Sequence, residues 1–135
     1  MLKLQKTLNL NSKEYFETHL ALLNPLFPEK FRMTPMEIVV LAQYLILTGE
    51  IKDHLFGPTA NRIVRDRLKL SYQGLSNYMR TLTEKGYMYE EGNIKKMIDI
   101  VKPENAYQEY YFRLKRIDIN ETITSTANQR VLEQN

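Results

Sequence analysis

The chain reads as α+β and mainly helical, from three patterns. Cap residues and prolines punctuate four helical segments, only Lys69 and Leu70 separate the last two, and two β-prone runs follow around Glu91-Gly92-Asn93. With 135 residues, 43% of them hydrophobic and 26% charged, it is long enough to bury roughly two thirds of its unfolded surface in one core without disulfide or metal.

The elements follow in chain order. Leu2, Leu4, Leu8 and Leu10, with lysines between, predict a short strand or an arm. Ser12 is the expected cap of a helix to about Leu23, with Tyr15, Phe16, His19, Leu20 and Leu23 along one side. Pro25 and Pro28 end it. Thr34-Pro35-Met36-Glu37 is a helix start, with Thr34 as cap, Pro35 where its missing N–H costs nothing, and Glu37 closing a capping box. That helix runs to Thr48, with Gly49 as its left-handed stop, and being apolar nearly all round it is the predicted core helix. Ile51 to Phe56 reads as a helix end or a small strand.

Thr59 is expected to cap a helix through about Leu68 that buries Ile63, Val64 and Leu68. Ser71 is expected to cap the next, which ends at Gly86. Two helices joined by so tight a turn form a helix-turn-helix. Tyr87 to Glu90 is strand-like, Glu91-Gly92-Asn93 has turn chemistry, and either Ile94–Val101 or Tyr110–Lys115 supplies the second strand. In the latter run Tyr110, Phe112 and Leu114 face one way, and Tyr111, Arg113 and Lys115 the other. Helices, a helix-turn-helix and then a hairpin is the order of a winged helix. The expected division is an N-terminal arm and helix over 1–33, a winged-helix domain over 34–119, and a polar tail over 120–135.

Charge points to a partner. The net charge of +3 is small, but residues 1–50 and 91–135 are each neutral, so the whole surplus falls within residues 51–90. A local basic surplus favours a polyanion through Coulomb steering and counterion release. On a wheel at about 100° per residue, residues 72–85 put Leu75, Tyr78, Met79 and Leu82 in one arc, with Tyr72 at its border. Gln73, Asn77, Arg80, Thr81 and Glu84 lie opposite, with Ser76 at the margin. Asn and Gln pair bidentately with adenine, Arg with guanine, and Ser or Thr with bases or phosphates. Ser71 and the first amides of the helix suit a phosphate.

Across roughly residues 59–95 the chain resembles winged-helix regulators of the multiple-antibiotic-resistance-regulator (MarR) type. The likeness rests on the turn at Leu70-Ser71, the apolar Leu75, Leu82, and Lys85-Gly86 before the first wing strand. It implies base or phosphate contacts from Gln73, Ser76, Asn77 and Arg80, and backbone contacts from Lys95 and Lys96 in the wing. Gly74 stands where that family has Thr or Ser, admitting close packing against residues 59–68 or close approach of a backbone. The family's Asp-x-Arg wing signature is replaced by Gly92-Asn93-Ile94-Lys95-Lys96.

Other chemistries find little support. Zero Cys removes thiolate catalysis and thiolate metal sites. Glu50 and His54, spaced i, i+4, read as an ion pair because two ligands make no metal site. The glycines form no phosphate-cradling loop, and the longest apolar stretch, Ile38 to Leu47, is too short to span a bilayer. The expectation is therefore a cytoplasmic, sequence-specific double-stranded DNA-binding protein and transcriptional regulator. It has no catalytic residue, metal or cofactor, and a second copy of itself is a partner that would raise specificity. Arg62, Arg65 and Lys69 would anchor phosphates, and Arg67 would do the same or pair in solution. The rival expectation is a winged helix for protein–protein contact in a replication, transcription or viral assembly, favoured by Glu84 on the exposed face and the leucine-rich arm.

Overall fold

The computed structural model describes residues 4–51, 54–103 and 107–118. The fold is α+β and mainly helical, with four helices followed by one antiparallel hairpin. Helix α1 (Ser12–Leu23) is capped by Asn11 rather than Ser12, because Asn11 Oδ1 reaches the Glu14 amide at 2.8 Å and draws Ser12 into the first turn. Residues 4–10 before it pair with no strand and form an arm. After α1, Asn24 carries the chain into a short 3-10 turn, and its amide exchanges two hydrogen bonds with the Met33 backbone, at 2.8 and 2.9 Å.

Helix α2 (Pro35–Leu47) starts with the expected capping box. The Glu37 amide donates to Thr34 Oγ1 at 3.3 Å, and the Thr34 amide to Glu37 Oε1 at 2.7 Å. Residues 40–45 and Leu47 are all buried, so α2 is the core helix around which the others pack. Its end differs from expectation. Gly49 does not enter the left-handed region. Instead the Thr48 hydroxyl donates to the Leu45 carbonyl at 2.6 Å, and the amides of Glu50 and Ile51 both turn back onto the Leu47 carbonyl. Hydroxyl and tight turn satisfy the orphan carbonyls that a left-handed residue otherwise serves.

Helix α3 (Pro58–Leu68) starts two residues earlier than a Thr59 cap implies, with Gly57 at the cap position and Pro58, whose φ is already helical, in the first turn; Thr59 lies inside. Asn61 ties this start to the core: its Oδ1 accepts from the Tyr44 hydroxyl at 2.6 Å and its Nδ2 donates to the Phe56 carbonyl at 3.1 Å. Phe56 packs on Tyr44 with ring centroids 4.7 Å apart, so residues 54–57 form a packed loop, neither helix nor strand. Helix α4 (Tyr72–Glu84) carries its expected cap, Ser71 Oγ accepting from the Gly74 amide at 3.0 Å. It stops at Glu84, short of Gly86, which takes the positive φ of +90° that turns the chain into the hairpin.

Strands β1 (Met88–Glu91) and β2 (Ile94–Met97) pair antiparallel with Met88 opposite Met97, Glu90 opposite Lys95 and Glu91 opposite Ile94. Gly92, at φ +67°, supplies the left-handed residue of the tight turn. Met88 and Met97, a facing pair, are buried and fix which side of the hairpin meets the helices. Ile94–Met97 thus completes the hairpin. Tyr110–Lys115 forms no strand, because Tyr110 turns toward α1 and places its hydroxyl on His19. The tail expected over 120–135 lies outside the described residues.

His19 is buried, and its contacts assign its proton. A carbonyl only accepts, so Nε2–H donates to the Val101 carbonyl at 3.0 Å and Nδ1 accepts from the Tyr110 hydroxyl. Burial holds the imidazole below its ordinary 6.5, against the opposing pull of the Val101 carbonyl. The folded state resists the second proton more than the unfolded chain does. Its contribution is therefore complete above pH 6.5 and declines as the pH falls below that value. Denaturant melts at about pH 7.5 and 5.5 should show lower stability at the acid end for the native chain, and a smaller difference for His19→Gln. Equal differences for both would contradict the assignment.

Candidate nucleic-acid interface

The α3–α4 turn is built by one residue. Lys69 adopts φ +55°, ψ +44°, and the amides of Lys69 and Leu70 both close on the Arg65 carbonyl, the latter at 2.9 Å. A left-handed non-glycine residue costs of order 1 kcal/mol, which buried Val64, Leu75 and Met79 offset by fixing the two helices against each other. Gly74, in the first turn of α4, has a specific neighbour. A Cβ there would lie 3.1 Å from Ser71 Oγ and 3.9 Å from Leu70 Cδ2. Glycine leaves room for the cap hydroxyl itself, and among the described residues no atom of helix α3 lies within 4 Å of that position.

With Leu75, Met79 and Leu82 buried, the other side of α4 splits into two surfaces. Tyr72, Ser76, Arg80 and Thr83 line a groove of about 560 Å³ between α4, the end of the 54–57 loop with α3, and the hairpin. Its far walls are Asn61 and Arg65 on one side and Glu90 and Lys95 on the other. Four of the residues expected to touch a polyanion, Arg65, Ser76, Arg80 and Lys95, thus converge on one concavity from three separate elements. The guanidinium of Arg65 sits 5.4 Å from the Tyr72 ring centroid, and Lys95 Nζ lies 3.4 Å from Thr83 Oγ1, so both cations are held across the groove by neutral partners. Arg80 Nε is 4.0 Å from Glu84 Oε1 in an exposed pair, a weak restraint that a stronger anion displaces.

The second surface differs. Asn77, Thr81 and Glu84 lie beside Thr34, Glu37 and Lys85. Thr81 is not available to a ligand: its hydroxyl donates to Glu37 Oε2 at 2.8 Å. Lys85 Nζ lies 2.5 Å from Glu37 Oε1, so the buried carboxylate at the start of α2 clamps the last turn of α4. Burial alone would push this carboxyl up. Hydrogen bonds from Lys85, the Thr34 amide and the Thr81 and Thr34 hydroxyls outweigh it and hold Glu37 below the ordinary carboxylate value.

The remaining expected residues are distributed as follows. Gln73 Nε2 donates to Asn77 Oδ1 at 3.1 Å on the outer face of α4, an exposed pair one turn apart. Arg62 is exposed on α3 one turn before Arg65, Lys69 is exposed at the left-handed residue that ends the helix, and among the described residues no ion pair engages any of the three. Lys96 points away from the groove and pairs with Glu91 at 3.5 Å. Arg67 is committed elsewhere: it reaches Glu50 at 3.1 Å and Gln43 at 3.5 Å, which also takes from His54 the partner its spacing suggested. Ser71 holds its own helix cap.

Compared with known proteins, the chain matches no family model, no curated sequence and no solved structure.

Sequence reasoning missed Tyr72, Asn61, Thr83 and Glu90 as groove residues. Tyr72 had a signal, its place at the border of the apolar arc, and its 72% exposure makes it an aromatic wall. Glu90 had none, since only the hairpin register brings it beside Lys95. Among the described residues no group of three or more His, Asp or Glu is placed to hold a metal, and no helix is long and apolar enough to cross a membrane.

Proposed function

We propose that this protein is a winged helix that binds double-stranded DNA sequence-specifically, as a transcriptional regulator. In this reading α4 enters the major groove and the hairpin lies on the backbone. The observation that carries it is the convergence of Arg65, Arg80 and Lys95 on the groove between α4 and the hairpin, against a single carboxylate, Glu90. A helix with side chains is about 10–12 Å across and B-DNA's major groove about 12 Å wide, so α4 fits with its Tyr72–Ser76–Arg80 line against base edges and phosphates. Arg62, one turn before Arg65 on α3, and Lys69, in the turn that ends that helix, extend the cationic stripe to the next phosphates. Gln73 and Asn77, already paired to each other, present one amide donor and one acceptor outward, a combination suited to adenine.

If Arg62, Arg65, Lys69 and Lys95 each displace one counterion, log affinity against log salt slopes at about −3 to −4. Fluorescence anisotropy with a duplex selected from a random pool measures it. Lys95→Ala should reduce the slope by about one and weaken selected and scrambled duplexes alike. A flat salt response, or binding no tighter to the selected duplex than to the scrambled one, would refute the proposal.

A further inference from the structure

The groove beside α4 is not lined by polar groups alone. Phe56, Tyr72, Leu75 and Met79 line it as well. Leu75 and Met79 are buried and Phe56 is half-buried, so among the described residues Tyr72 is the apolar lining residue that stands out, at 72% exposure. It is the first residue of α4, and its ring is held in place. The Arg65 guanidinium sits over the ring, 5.4 Å from its centroid, which orients the ring from α3 and leaves its other face and its edge open. Ser76, one turn on, is short and half-buried, so the line from Tyr72 to Arg80 carries no bulky side chain between them.

On the reading that α4 enters the major groove, on which this inference rests, the ring meets base edges. Those edges offer ring-nitrogen and carbonyl acceptors, amino donors and one apolar group, the C5-methyl of a pyrimidine. A ring laid over an acceptor or an amino group strips it of water and returns no hydrogen bond. Laid over the methyl, it takes two apolar surfaces out of water together. We propose that Tyr72 reads the C5-methyl group of a pyrimidine, with the ring as the contact and Arg65 as its positioning residue. Gln73, Asn77 and Arg80 can tell bases apart by hydrogen bonds, but a methyl group offers them none. Thymine and 5-methylcytosine carry this group. Uracil and cytosine lack it and keep the same base pairing.

Fluorescence anisotropy with modified duplexes tests the proposal. In the duplex selected from a random pool, each thymine is replaced in turn by deoxyuridine, and each cytosine by 5-methylcytosine. At one position the native chain should bind the methylated base about 3- to 5-fold more tightly, the value of one methyl group removed from water. A thymine position makes thymine the base that is read; a cytosine position makes it 5-methylcytosine. Tyr72→Ala should abolish that ratio. Any loss it causes by releasing Arg65 falls equally on methylated and unmethylated duplexes, so the cycle isolates the ring. Tyr72→Phe should keep the ratio, because the hydroxyl is not the contact. Both variants should match the native circular dichroism, since the side chain is exposed. A native chain indifferent to every methyl group, yet still preferring the selected duplex, overturns this inference alone. So does a ratio that survives Tyr72→Ala, or one that is lost in Tyr72→Phe. No preference for the selected duplex at all overturns the DNA reading, and this inference with it.

Discussion

Arg80→Ala is expected to lower affinity for the selected duplex by about 5- to 150-fold, the value of one bidentate guanine contact of about 1–3 kcal/mol. Binding to a scrambled duplex should change far less. Arg80 is the residue for which this asymmetry is sharpest. It projects from the middle of α4 into the groove, and its exposed 4.0 Å pair with Glu84 restrains it little. Arg80→Lys keeps the charge but not the planar fork, so it should recover most of the salt slope and little of the base preference. Equal losses on both duplexes would make Arg80 a phosphate contact and remove it from base reading. The contrast with Lys95→Ala, whose effect should be uniform, separates specification from positioning on the two sides of one groove.

Glu37→Ala should be the most damaging substitution for stability, at about 3–5 kcal/mol, the cost of breaking a buried, hydrogen-bonded ion pair. The side chain is only 2% exposed and serves three tasks at once: it closes the α2 capping box, accepts from Thr81 and binds Lys85. Its loss strands the Lys85 ammonium in a half-buried site and frees the end of α4 from α2. For a domain of this size each kcal/mol moves the midpoint of thermal unfolding by about 4 °C, so calorimetry should register a fall of at least about 12 °C. Glu37→Gln retains an acceptor for the cap and should fall less. A double-mutant cycle with Lys85→Met isolates the pair itself, and coupling near zero would show that the cap alone matters. Because Glu37 is held below its ordinary value of 4.5, the stability it contributes is full above that pH and is lost as the pH falls through the folded-state value. Acid unfolding of the native chain should accordingly be steeper below pH 4.5 than that of Glu37→Gln.

These two residues mark how far the chain's local patterns reach. The capping box at Thr34 and Glu37 was readable because it closes within four residues, through a hydroxyl and a carboxylate at fixed offsets. The second half of Glu37's role was not, since Thr81 and Lys85 lie more than forty residues away and meet it only once α4 packs on α2. On a wheel Thr81 looked like a ligand contact. In the fold it is a structural hydroxyl, because an exposed arc of an isolated helix says nothing about which neighbour covers part of it. The cap at Asn11 instead of Ser12 is a one-residue shift, decided by which of two adequate side chains reaches a free amide. The cap at Gly57 instead of Thr59 is a two-residue shift set by Pro58, whose fixed φ suits the first turn.

The strand expected over 110–115 has a different cause. Alternating apolar and polar residues specify an extended segment that wants a partner, not which partner it finds. Within one chain Tyr110 is drawn to His19, and the edge of β2 is left alone.

The sequence by itself determined the α+β class, the order of helices and hairpin, the tight α3–α4 turn and the concentration of basic charge in the middle of the chain. All of these rest on interactions spanning a few residues or on composition. Only the tertiary structure decided which charges remain available: Lys85 is spent on Glu37 and Arg67 on Glu50, while Arg65, Arg80 and Lys95 are gathered around one groove. Coulomb energy depends on distance and on burial, and the order of residues along a chain fixes neither until its helices have packed.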